Sequence, residues 1–114
     1  MKPKIYLSSP HLSVNEIHFV KNSISTEDLI FGENISFFQK KLEFFLESKN
    51  KIVALSSGTA AIHIGLILAG VTSKDEVLCQ TFTYVASANP ICYLGATPVF
   101  IDSESTTWNM CPVA

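Results

Sequence analysis

Hydrophobic positions recur at helical intervals through the first 50 residues of this chain and then give way to short apolar runs separated by turns. Ser13-Val14-Asn15-Glu16 has the S-x-x-E form of a capping box, and Val14, Ile17, Val20 and Ile24 follow near helical spacing, which predicts a helix over about 14–24. Ser36 and Gln39 repeat the capping signature ahead of Phe38, Leu42, Phe45 and Leu46, predicting a second amphipathic helix. Between them Thr26–Asn34 has no period, carries Glu27, Asp28 and Gly32, and is expected to be a surface loop.

From Lys51 the period changes. Ile52–Leu55 is a short β-prone run, Ser56–Gly58 a turn, and Thr59–Leu68 an apolar helix closed by Gly70. Glu76–Cys79 reads as a second strand, Tyr84–Leu94 as a crossover helix ending at Gly95, and Pro98–Asp102 as a third strand. Pro90 should kink or shorten that second helix. Strands alternating with helices predict a parallel sheet and an α/β class, with a lead and two helices over 1–50 and a βαβαβ unit over 51–114. Three parallel strands and a helix that is apolar on nearly every side leave faces uncovered, and Met110–Ala114 brings no capping element. The expectation is a truncated front part of a larger domain.

Composition narrows the partners. The net charge is −2, and all eight basic residues are lysines. A nucleic-acid binder would need clustered basic residues, and no guanidinium is present to clamp a phosphate or carboxylate. The longest apolar stretch, Ala60–Val71, is shorter than the about 20 residues that cross a bilayer, and no signal-peptide run opens the chain, so a cytoplasmic location is expected. Cys79, Cys92 and Cys111 have neither metal-knuckle nor redox-pair spacing and are expected to be buried free thiols.

Two segments carry candidate chemistry. At Ser56-Ser57-Gly58-Thr59-Ala60 a strand is expected to turn into a helix, so the amides of Thr59 and Ala60 should be free at the positive end of the helix dipole. Gly58 would let a ligand approach the backbone, and the Thr59 hydroxyl could add a donor to a phosphate oxygen. A plain turn with Ser57 or Thr59 as N-cap explains the same residues without a ligand. Phe82 and Tyr84 follow the second strand at its carboxyl end, where α/β sheets bind ligands, and either ring could stack on a heteroaromatic cofactor or pack into the core. Asp102 shares that edge as a possible acid or base, a cap or a surface carboxylate being the alternatives. His11, His18 and His63 show no metal-ligand spacing.

Four blocks resemble, in order, the DegT/StrS sugar aminotransferases: Ala54–His63, Asp75-Glu76-Val77, Thr81–Asn89 and Gly95–Asp102. Leu7-Ser8-Ser9-Pro10 and the two leading helices also look like the opening segment of that family. Ser9-Pro10-His11 and Pro90–Leu94 look most like its subgroup that aminates UDP-linked 4-keto-6-deoxy-HexNAc sugars. The resemblance implies the front of the large domain of a fold type I transferase. Such an enzyme uses pyridoxal 5′-phosphate to move an amino group, usually from glutamate, onto a nucleotide-linked keto-sugar for bacterial glycan biosynthesis. It implies that Gly58, Thr59 and Ala60 hold the cofactor phosphate, that Tyr84 stacks on its ring, and that the full-length protein is a homodimer. The family's Schiff-base lysine lies in a later Ser-x-His-Lys segment, which does not occur here, and none of the eight lysines matches it. The expectation is therefore a chain inactive by itself, the alternative being a non-catalytic binding or dimerisation module that keeps the phosphate turn.

Overall fold

A computed structural model of the chain describes residues 4–6, 8–25 and 33–113. Its contacts divide it into two compact units, Met1–Ala54 and Leu55–Ala114.

The first unit holds α1 (Val14–Ser25) and α2 (Glu33–Phe45). The Ser13 capping signature is realised at the start of α1. The Glu16 carboxylate accepts from the Ser13 N–H and hydroxyl, both at 2.7 Å, and the Asn15 N–H donates to Ser13 Oγ at 3.2 Å. The second signature is not a helix start, because α2 begins at Glu33 and Ser36 lies inside it. The predicted loop falls outside the described residues over 26–32, and its last two positions, Glu33 and Asn34, are helical. The Asn34 side-chain amide donates to Ser23 Oγ at 2.7 Å, tying the start of α2 to the end of α1.

Ile52–Leu55, expected to be a strand, pairs with nothing among the described residues. A strand exists only through its ladder, and here the Ile52 N–H donates to Glu43 Oε1 at 3.0 Å, while Lys51 Nζ lies 3.7 Å from Glu43 Oε2. The run follows the side chain of α2 instead of a sheet.

The second unit is built on one parallel pair, β1 (Glu76–Gln80) with β2 (Thr97–Ile101), in the register Glu76 to Thr97 through Gln80 to Ile101. A helix, α3 (Gly58–Leu68), precedes the pair, and the crossover contains a 3₁₀ turn (Val85–Ser87) followed by α4 (Asn89–Tyr93). The predicted continuous helix over Tyr84–Leu94 is thus two pieces. Proline has no N–H and its ring meets the carbonyl four residues back, so the break falls on the N-terminal side of Pro90, which sits in the first turn of α4 where no bond is lost.

Both helices that flank the sheet stop at a left-handed glycine. At the end of α3 the Gly70 N–H donates to the Ile67 carbonyl and the Val71 N–H to the Leu66 carbonyl, both at 3.0 Å. At the end of α4 Gly95 donates to Cys92 at 3.0 Å and Ala96 to Ile91 at 3.2 Å. These are Schellman caps, and each brings its hydrophobic contact, Val71 with Leu66 and Ala96 with Ile91, into the core. That core is Cys79, Ile91 and Ala96, with Leu66, Val71, Val77 and Ala88 against it and Pro90 fully buried. It covers one flank of α3. Ile64, Ile67 and Leu68 remain exposed, so the helix expected to be buried all round is half-covered within this unit. Of the cysteines expected to be buried only Cys79 is, because it alone faces the core; Cys92 is exposed, Cys111 is half-buried, and all three are free.

Gly70 and Gly95 have φ of 81° and 73°, yet a Cβ at Gly70 would meet open space while one at Gly95 would lie 3.1 Å from Ser73 Cβ. Gly70→Ala is expected to cost roughly 1–2 kcal/mol from the left-handed backbone alone. Gly95→Ala should cost more than Gly70→Ala in paired urea unfolding curves, and equal costs would mean that Ser73 yields freely.

Candidate functional site

Ser57 is the N-cap of α3, in extended conformation, and its Oγ accepts from the Ala60 N–H at 3.1 Å. The Ala61 N–H donates to the Ser57 carbonyl at 3.1 Å. That second bond is the first ordinary one of the helix; a helix start leaves four N–H groups without an intrahelical acceptor, and Ser57 Oγ takes up one of them, that of Ala60. The Ala60 amide, expected to be free, is therefore bonded. Gly58 and Thr59 are left as the open amides, at a helix end whose first turn carries no acidic residue. Gly58 is not in the left-handed region, so its backbone does not require glycine, and a Cβ there would enter space that no other part of the described chain fills. Two amides, the Thr59 hydroxyl and a missing Cβ make an approach for one anionic oxygen cluster, and these residues fit a phosphate group.

The two candidate rings separate. Phe82 stacks at a tilt on Trp108, with centroids 5.3 Å apart, whereas Tyr84 is 80% exposed. Tyr84 begins the 3₁₀ turn, and its carbonyl accepts from the Ser87 N–H at 2.9 Å. Its backbone is held while its ring is open, which suits a platform for a planar ligand. The contacts between α3 and the 3₁₀ turn that follows Tyr84 place α3 beside this segment.

Asp102 behaves as a loop cap, its Oδ1 accepting from the Ser103 N–H at 2.8 Å and from the Thr81 hydroxyl at 3.3 Å. Glu104 organises the next turn. The Thr107 hydroxyl, the Thr106 N–H and the Thr107 N–H all donate to its carboxylate and hold its pKa down at about 2. Asp75 is lowered likewise by the Thr72 N–H and then the Thr72 hydroxyl. His63 is half-buried with its ring edge-on to Tyr93 at 5.6 Å, and no group of three or more metal-ligating side chains occurs among the described residues. No described helix is long and apolar enough to cross a membrane.

Residues 10–114 match the model of the DegT/DnrJ/EryC1/StrS aminotransferase family. The chain belongs to that family. EpsN of Bacillus subtilis, named as a pyridoxal phosphate-dependent aminotransferase, is 46% identical over 115 residues, taking in 100% of this chain and 29% of that protein. The GDP-perosamine synthase of Caulobacter vibrioides is 36% identical over 109 residues, 95% of this chain and 29% of its own. Spr1654 of Streptococcus pneumoniae, named as a sugar aminotransferase and solved in its PLP form, superposes with a TM-score of 0.84 at 31% identity, over 93% of this chain and 27% of that one. This chain thus spans less than a third of the length of each of these relatives. Enzymes of the family depend on pyridoxal phosphate, and the α/β class with a parallel sheet agrees with these neighbours.

Sequence reasoning did not weigh Trp108 or Ser103. Both reach the end of β1 from the loop after β2, a non-local contact for which no periodic signal exists.

Two predictions follow from the local bonding. Ser57→Ala is expected to cost about 1 kcal/mol of stability by removing the cap, read as a lower urea midpoint. Because Glu104 titrates at about 2 in the fold against an ordinary value of 4.5, its stabilisation is complete above 4.5 and is lost as pH falls toward 2. Glu104→Gln should therefore flatten the stability profile in that window, and an unchanged acid limb would contradict the assignment.

Proposed function

We propose that this chain supplies the phosphate anchor and ring platform for pyridoxal 5′-phosphate in an enzyme that aminates a nucleotide-linked keto-sugar. The observation that carries the reading is the α3 start, with the Gly58 and Thr59 amides open and no Cβ in their way, in a chain whose family depends on this cofactor. The relatives named for GDP-perosamine synthesis and for spore coat polysaccharide biosynthesis support a sugar acceptor and a role in surface glycans. Glutamate as donor, a homodimer and a cytoplasmic setting complete the proposal. When bound, the cofactor supplies an electron sink for the carbon that loses its proton.

What the residues here do is bind and orient. Gly58 and Thr59 N–H groups donate to phosphate oxygens, the Thr59 hydroxyl adds a third donor, and Ala60, bonded to Ser57, fixes the turn that aims them. Tyr84 offers a face to the pyridine ring. We assign proton transfer to a lysine outside this sequence, since no Ser-x-His-Lys segment occurs in it, and propose that the chain by itself does not transaminate.

Titration of the chain with pyridoxal phosphate tests the anchor. Thr59→Val should weaken binding about tenfold or more, the loss expected for one hydrogen bond to a charged group. Tyr84→Leu should weaken it roughly three- to tenfold. Pyridoxal lacking the phosphate, bound as tightly as the phosphorylated form, would overturn the reading. Added glutamate should produce no spectral half-reaction, and borohydride should leave no single lysine of this chain selectively modified.

A further inference from the structure

The loop that follows β2 returns to the end of β1 and grips it at three successive residues. Gln80 Nε2 donates to Ser103 Oγ at 3.0 Å and to the Trp108 carbonyl oxygen. The Thr81 hydroxyl donates to Asp102 Oδ1 at 3.3 Å, and its N–H to the Ile101 carbonyl at 3.0 Å. The Phe82 ring lies against Trp108, which holds φ of 64°, a left-handed conformation unusual for a bulky residue. Such strain persists where surrounding contacts over-determine it, and here the Gln80 bond and the Phe82 ring are those contacts. On the other side Thr83 Oγ1 and Ser87 Oγ are 2.8 Å apart, and Ser87 N–H donates to the Tyr84 carbonyl at 2.9 Å. Tyr84 therefore stands between two fixed points while the residue itself stays exposed.

We propose that Gln80 and Trp108 are positioning residues: the loop after β2 is a clasp that presets the Tyr84 backbone so that its ring is presented to a planar ligand. A ring held before the ligand arrives loses less conformational freedom on stacking, so the clasp raises affinity without touching the ligand. The clasp itself is independent of the ligand's identity. Its effect on cofactor binding rests on the reading of Tyr84 given above.

Two substitutions separate its parts. Gln80→Glu keeps the size and removes both donated bonds. Trp108→Gly keeps the left-handed backbone and the carbonyl that Gln80 grips but removes the ring. In residue-resolved hydrogen exchange of the 114-residue chain, each should accelerate the hydrogen-bonded Thr83 and Ser87 amides at least tenfold while α3 is unchanged. Unchanged amides, or an equal acceleration in α3, would overturn the clasp, the second showing that these residues only stabilise the unit. Titration with pyridoxal phosphate and, separately, inorganic phosphate gives the ligand arm. Gln80→Glu should weaken pyridoxal phosphate about threefold or more, leave inorganic phosphate unaffected, and add no further loss in a Tyr84→Leu background. Full additivity with Tyr84→Leu would overturn the positioning role. A chain that binds no pyridoxal phosphate would sink the functional reading instead, and the exchange result would still decide the clasp.

Discussion

The parallel pairing of Glu76–Gln80 with Thr97–Ile101 is the constraint on which the second unit depends. Parallel strands need a crossover, and their bonds align both carboxyl ends on one edge. That edge is where the chain leaves β1 into Thr81–Tyr84 and leaves β2 into Asp102–Met110. Two loops far apart in sequence are thereby brought into contact, and the Gln80, Thr81 and Phe82 contacts are available only because the register puts Gln80 opposite Ile101. A slip of one residue would reverse the face of every side chain on the strand and separate Cys79 from Ile91 and Ala96.

The glycine caps connect the pairing to the turn at Ser57–Thr59. Gly70 ends α3 with Val71 turned into the core beside Leu66, so the helix is fixed at its C-terminal end against the layer that contains Val77 and Cys79. Its other end, at Ser57, carries the side-chain cap, whose Oγ accepts from the Ala60 N–H. The consequence is a helix docked at its base with an N-terminus whose amides stay open. The apolar faces of α3 that this small core leaves uncovered, including Ile64 and Leu68, show that burial within the unit contributes only part of what a helix of this composition can gain.

Legibility in the sequence followed the range of the interaction. Caps are local, and both Schellman glycines and the Ser13 to Glu16 box could be read from a few adjacent residues. The strands β1 and β2 could be read from their composition to within a residue. Ile52–Leu55 has the same composition and is no strand, because pairing is decided by a partner that the run itself does not encode. Ser36 has the capping chemistry but lies a turn inside α2, where Glu33 and Asn34 already continue the helix. The choice between Phe82 and Tyr84 as the open ring was equally beyond local reading, since it turns on Trp108 arriving from 26 positions later against Phe82.

The groups gathered at this edge suit the binding and orienting role proposed for them more than a role in proton transfer. Amide N–H groups and a tyrosine face keep their charge through a reaction, so they hold reactant and transition state to a similar degree and contribute orientation. Acceleration through proton transfer needs a group that changes its charge near neutral pH. Glu104 is held ionised down to about 2 by three donors, and Asp102 Oδ1 is committed to Ser103 and Thr81. Their hydrogen bonds give them the work of shaping the loop. In the proposed reading, a phosphate grip built from uncharged dipoles leaves the protonation of a reacting centre to be set by other groups, so that this strand-loop-helix frame would serve as a fixed cradle while another group moves the proton.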